Sequence, residues 1–172
     1  MSDPPALDPL PMGQPQTITD LVARFTRNER AYLSDEYNEE DVRTEFIDPL
    51  FKALGWDVDN TLGHAEPYKD VVREHTVVVG DGRKAPDYSF RIGGTRNVFV
   101  EAKKPALNLK TDAEAAFQLR RYAWSAKPPL SILTSFREFA VYDCRIEPSV
   151  LDKASTRRAL PTQAGRSSRR RC

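Results

Sequence analysis

Pro86-Asp87 and, one turn further on, Phe99-Val100-Glu101-Ala102-Lys103 are the residues whose reading decides the fold. The first pair places an acid at the end of one strand. The second run closes the next strand with an acid and a lysine two apart. Strand side chains alternate between faces, so Glu101 and Lys103 point one way while Val98, Val100 and Ala102 point the other. Asp87 can stand beside them on the neighbouring strand. Two carboxylates and an ammonium converging on one spot form a set able to hold a divalent metal against a phosphodiester.

The flanking sequence supplies the sheet that such a set requires. Asp70 to Val79 is rich in valine and reads as a strand; Gly80-Asp81-Gly82 is a turn; Asp87 to Ile92 is a second strand. Gly93-Gly94 makes the next hairpin and Asn97 to Lys103 the third strand. A capping box, Thr111-Asp112-Ala113-Glu114, opens a helix through Trp124, and Pro128-Pro129 stops it. Leu130 to Thr134 and Phe139 to Tyr142 add two short strands.

Upstream, Thr17 or Thr19 caps a helix running towards Leu33. In the next helix, capped by Asn38, Glu39, Glu40 and Asp41 fill the positive first turn. Val42, Phe46, Leu50 and Leu54 then stack at a spacing of four. Pro49 is expected to kink that helix and Gly55 to end it. The order is α-α-β-β-β-α-β-β, an α/β chain without internal repeats.

The 172 residues suffice for one domain with a substantial core. Residues 1–16 carry five prolines and no periodicity and read as a disordered leader, 17–147 as the folded domain, and 148–172 as a basic disordered tail. The net charge of +1 conceals an uneven distribution. Seven of the 26 bases, and no acid, lie between Lys153 and Cys172, so the body is acidic. An acidic body argues against a sequence-independent coat for nucleic acid and confines any contact with it to a local cleft. Cys144 and Cys172 offer neither a disulfide framework nor metal-ligand spacing. With no signal peptide and no apolar span, a cytoplasmic protein without membrane contact is expected.

Each candidate has a plainer alternative. Asp87, Glu101 and Lys103 could form a salt-bridge cluster at a sheet end, since ion-pair networks imitate sites. Against that, Glu101 ends an apolar run, where a charge is costly unless paired or metal-bound. Glu45 flanks the apolar stripe of its helix and either looks towards the sheet or is an ordinary solvated charge. Gln118 and Tyr122, four apart, share a helix face, as a working pair or a surface pair. Arg43 falls in the apolar arc and either snorkels or meets phosphate. His64 and His75 have no partner at metal spacing, and no GxxxxGK[ST] is present.

Taken in order, these residues resemble a known family. Asn38 through Leu50, with Gly55-Trp56, resembles the opening helix of restriction-enzyme nuclease domains. Pro86-Asp87, Val100-Glu101-Ala102-Lys103-Lys104-Pro105 and Gln118-Leu119-Arg120-Arg121-Tyr122 are similar to the motifs that follow it. The set resembles the PD-(D/E)XK nuclease at the N-terminus of type I restriction R subunits, and equally that of the fused type IIG restriction–methylation enzymes. The resemblance implies a restriction-endonuclease-like mixed β-sheet flanked by helices. It implies Asp87, Glu101 and the Ala102 carbonyl as ligands of Mg²⁺, with Mn²⁺ as a substitute. Lys103 would orient the attacking water or stabilise charge, Glu45 would reach a metal-bound water, and Gln118 and Tyr122 would support the site. Lys104, Lys110, Arg120, Arg121 and Arg43 are candidates for contact with double-stranded DNA.

Members of this family are longer, continuing into helicase, methyltransferase or specificity components, and partners of that kind, in cis or in trans, are expected. No methylase or Walker motif is present, and the tail from about Ser155 reads as the product of truncation or a frame shift. Three readings follow: a metal-dependent DNA endonuclease domain of a restriction–modification system, an inactive remnant or DNA-binding module, and a small stand-alone nuclease. The first is favoured.

Overall fold

The chain is described by a computed structural model covering residues 15–73, 77–79 and 82–154. The leader before Pro15, the tail after Ala154 and His75 lie outside the described residues.

A five-stranded mixed sheet forms the centre. Its strands are β1 (Val71–Arg73), β4 (Tyr88–Ile92), β5 (Thr95–Ala102), β6 (Leu130–Thr134) and β7 (Phe139–Asp143), and they lie side by side in that order. All neighbours are antiparallel except β5 and β6. A parallel pair needs a crossover, which α5 (Ala113–Ala126) provides. The sheet and its flanking helices make a mixed α/β fold consistent with the restriction-endonuclease-like architecture expected.

The valine-rich segment is not one strand. After β1 the chain forms β2 (Val77–Val79), which pairs with β3 (Gly82–Lys84) as a separate hairpin. Composition marks strand-forming residues but not the partner they choose. Gly93 and Gly94 make the β4–β5 turn with φ of 57° and 79°, a region that favours glycine.

Alternation along β5 divides the core. Val100 and Ala102 join Tyr88, Phe90, Phe46 and Phe51 on one face, beneath the N-terminal helices. Phe99 joins Leu119, Tyr122, Leu133 and Tyr142 on the other, beneath α5. Phe46 is a hub of the first layer, with ring centroids 4.9 Å from Tyr32, 5.4 Å from Phe25 and 4.7 Å from Phe136.

The first helix starts at Pro15, earlier than Thr17, and comprises α1 (Pro15–Arg27) and a short α2 (Glu29–Tyr32). The next helical run begins as expected, with Asn38 and Asp41 in a reciprocal capping box ahead of α3 (Glu39–Val42). It then passes through a π-helical turn, Arg43–Ile47, before α4 (Asp48–Ala53). A π turn inserts one residue and advances the pattern, so the buried stripe becomes Val42, Phe46, Ile47, Leu50 and Phe51. Leu54, expected in that stripe, is half exposed. Main-chain acceptors loosened by the wider turn need partners, and the Arg24 guanidinium donates to the Glu45 carbonyl. Gly55, at φ of 93°, ends the run. In α5 the cap is Asp112, whose carboxylate accepts from the Ala115 N–H, rather than Thr111.

Packing continues past residue 147. Asp152 and Arg120, each with a side chain 5% exposed, form a buried ion pair at 3.0 Å, and the Tyr142 hydroxyl donates to the Ala154 carbonyl. Removing Asp152 would leave the Arg120 charge buried without its carboxylate. Asp152→Ala is therefore expected to cost about 3–5 kcal/mol of unfolding free energy in urea denaturation; a loss below about 1 kcal/mol would contradict the pairing. Cys144 lies buried with its thiol on the Ser131 hydroxyl, and burial pushes the thiol up to about 11. In a Cys172→Ser background, thiol reagents at pH 8 are expected to label Cys144 only as fast as the chain unfolds.

Candidate active site

The site is built by register. Tyr88 pairs with Val100, so Asp87, one residue before β4, stands opposite Glu101. Residues opposite each other in an antiparallel pair share a face. The Ala102 N–H donates to Asp87 Oδ2 at 2.7 Å and ties the acid to the end of β5. Lys103 is held just beyond the strand by its N–H, which donates to the Thr134 carbonyl at 2.8 Å. Its ammonium lies 3.0 Å from Glu101 Oε1. Asp87, Glu101 and Lys103 thus converge as the sequence predicts, each with a side chain 19% exposed.

The helical layer adds two charges from α3 and the turn after it. Arg43 Nη1 reaches Asp87 Oδ1 at 2.8 Å, and Arg43 also pairs with Glu40. Glu39 lies 3.5 Å from the Lys103 ammonium. Behind the site, Asp48 is buried, accepts from the Tyr88 hydroxyl at 2.7 Å and pairs with Arg73. That network braces the first residue of β4 to α4.

Burial pushes the Asp87 carboxyl up, while the Ala102 N–H, Arg43 and Lys103 pull it part of the way back. Burial also pushes Glu101 up; Lys103 opposes this, and the charge of Asp87 adds to it. For Lys103, burial pushes downward but the Glu101, Glu39 and Asp87 carboxylates prevail, and the ammonium ends above its ordinary range. Glu101 Oε2 is buried and has no hydrogen-bond partner among the described residues. A bare carboxylate oxygen is costly, and a cation is the partner that would satisfy it. The donor set, two carboxylates with main-chain oxygen nearby, suits a small hard cation that retains several waters. Among the described residues no three of His, Cys, Asp or Glu form a metal cluster, so main chain and water would complete the shell.

Other candidates are placed elsewhere. Glu45 is half exposed, 4.0 Å from Arg24, and its charge bears on Tyr37. Glu39 is the helix acid that meets Lys103, and the sequence reading missed it. It lies four residues before Arg43, hence on the same helix face, but a role at the helix dipole had already accounted for it. On α5, Gln118 donates to Glu114 and accepts from the Tyr122 hydroxyl at 3.3 Å, forming a chain along the helix. Arg120 is a correction: expected at phosphate, it is buried against Asp152. Lys104 donates to the Asp35 carbonyl, Lys110 is exposed near Glu138, and Arg121 is exposed.

The raised carboxyl of Glu101 has a consequence for stability without metal. Its folded-state pKa lies above the ordinary 4.5, so the native chain holds this proton more tightly than the unfolded chain. The stability so gained is full below about pH 4.5 and is lost as pH rises through the folded value. Glu101→Gln cannot ionise. In EDTA its Tm is therefore expected to rise relative to the parent as pH goes from 4 to 8; a difference independent of pH would contradict the burial of this acid.

Residues 69–149 match the family described as the type I restriction enzyme R protein N terminus. The type II restriction enzyme and methyltransferase RM.Eco57I of Escherichia coli is 36% identical over 149 residues, covering 86% of this chain and 15% of that protein. A probable Xaa-Pro aminopeptidase PEPP of Leptosphaeria maculans is 35% identical over 69 residues, 39% of this chain and 12% of its own length. No solved structure matches significantly. The chain thus spans only a small part of the curated relatives it matches. By sequence likeness, the chain resembles the type I restriction enzyme R protein N terminus over residues 69–149 and part of a fused restriction enzyme and methyltransferase over most of its length.

Proposed function

We propose that this chain is a metal-dependent DNA endonuclease domain of the PD-(D/E)XK kind, hydrolysing phosphodiester bonds within a restriction–modification system. The observation that carries the reading is the buried Glu101 Oε2, without a partner among the described residues, beside Asp87 and Lys103 at the end of one central strand. Asp87, Glu101 and the Ala102 carbonyl would hold Mg²⁺, or Mn²⁺ in its place. When bound, the ion supplies Lewis acidity to the phosphodiester and to the attacking water.

The chain's own residues supply orientation and charge. Lys103, fixed between Glu101 and Glu39, presents a permanently charged ammonium to the negative charge that develops at phosphorus. Glu39 acts through Lys103 and takes the place expected for Glu45. The Ala102 N–H and the β4–β5 pairing hold Asp87 still, so little reorganisation is needed when substrate arrives. Half-buried Lys104 and exposed Lys110 and Arg121 are left to meet the DNA backbone, which positions a duplex without reading its sequence. The methyltransferase portion of the Escherichia coli relative supports a partner of that type, in cis or in trans.

Supercoiled plasmid is the appropriate substrate, because it has no ends. Mg²⁺- or Mn²⁺-dependent nicking is expected from the parent, reduced at least about 100-fold in Lys103→Ala and in Asp87→Ala. Equal nicking by parent and variants would sink the assignment. A folded parent that binds DNA without cutting it would favour the inactive or DNA-binding reading.

A further inference from the structure

The two acids of the site are not equally open. Glu101 accepts from Lys103 at one oxygen and, among the described residues, keeps Oε2 without a partner. Both oxygens of Asp87 are engaged, Oδ2 by the Ala102 N–H at 2.7 Å and Oδ1 by Arg43 Nη1 at 2.8 Å. The first contact belongs to the sheet. The second comes from a long side chain at the start of the π-helical turn, and it can move. Arg43 is also joined to Glu40, whose side chain is 63% exposed on the same helical run. Beside Arg43 lies a cavity of about 250 Å³ lined by Glu40, Arg43, Asp48, Arg73 and Tyr88. The guanidinium therefore has somewhere to go and an acid to travel with.

Resting on the metal-site reading above, we propose that Arg43 is an exchangeable counter-ion, which holds Asp87 Oδ1 in the metal-free chain and must leave it when a divalent cation binds. In the resting chain Arg43 offsets the charge of a carboxylate 19% exposed and keeps its rotamer fixed. On binding, a dication replaces the guanidinium at the same oxygen, and Arg43 swings with Glu40 into the adjoining cavity. Lys103 has no such obligation, because Glu101 can take a cation at Oε2 without releasing it. Arg43 is in this sense a positioning residue, acting on Asp87 rather than on the reacting atoms.

The exchange makes a prediction that simple through-space charge does not. Arg43 and Lys103 each place one positive charge within 3.0 Å of a ligand acid. Were charge alone at work, Arg43→Gln and Lys103→Met would tighten cation binding alike. If Arg43 competes for the oxygen itself, Arg43→Gln gains more.

The test is Mn²⁺ titration of the full chain without DNA, by calorimetry and by the electron paramagnetic resonance of free Mn²⁺. Arg43→Gln is expected to bind at least about tenfold more tightly than the parent, Lys103→Met clearly less so, and Arg43→Lys, which keeps the charge but loses the fork, between parent and Arg43→Gln. Equal gains in Arg43→Gln and Lys103→Met, or unchanged or weaker binding in Arg43→Gln, would overturn the exchange and leave the metal site standing. No Mn²⁺ bound by the parent or by any folded variant would overturn the metal site, and the exchange with it.

Discussion

Everything in this molecule that bears on chemistry depends on the pairing of Tyr88 with Val100. That register sets Asp87 opposite Glu101, points Tyr88, Phe90 and Val100 into the aromatic layer, and leaves the alternate positions for α5 and the site. A slip of one residue would send the acids into the core and the valines towards the cleft. The register is held from both sides. The Gly93-Gly94 turn fixes one end, while the contact of Asp87 with the Ala102 N–H fixes the other. The aromatic cluster around Phe46 and Phe90 penalises any alternative between them.

The charge arrangement follows from that placement. Register brings two acids together in a poorly solvated spot, and burial alone would favour their neutral forms. Arg43 from the helical run and Lys103 from the end of β5 limit the cost, and Glu39 in turn steadies Lys103. What results is a set of ionic contacts with the Oε2 of Glu101 left unmet among the described residues. Such incomplete satisfaction is uncommon in a folded interior and recurs where function requires it.

The sheet and the central acids were legible because period-two alternation, glycine turns and a charge after an apolar run are local signals. The Asn38 capping box was legible for the same reason. What escaped was non-local or out of phase. The split of Val71–Arg73 from Val77–Val79 depends on which strand each segment pairs with, and valine content carries no information about that. Glu39 escaped because its place in the positive first turn accounts for it locally, while its approach to Lys103 crosses from helix to sheet. Arg120 looked like a surface base until Asp152, 32 residues away, came back to bury it.

The π-helical turn also constrains how this helix can change its length. In a loop, losing or gaining one residue is usually absorbed. Within Arg43–Ile47 a single deletion would leave a regular α-helix with nothing wrong in its own hydrogen bonding. Yet it would turn Glu39 and Arg43 by about a hundred degrees against Phe46 and Phe51, one residue's worth of helical rotation. The core and the cleft would no longer face their partners together. The extra residue thus acts as a gear between two surfaces, and indels here should be far rarer in descent than substitutions.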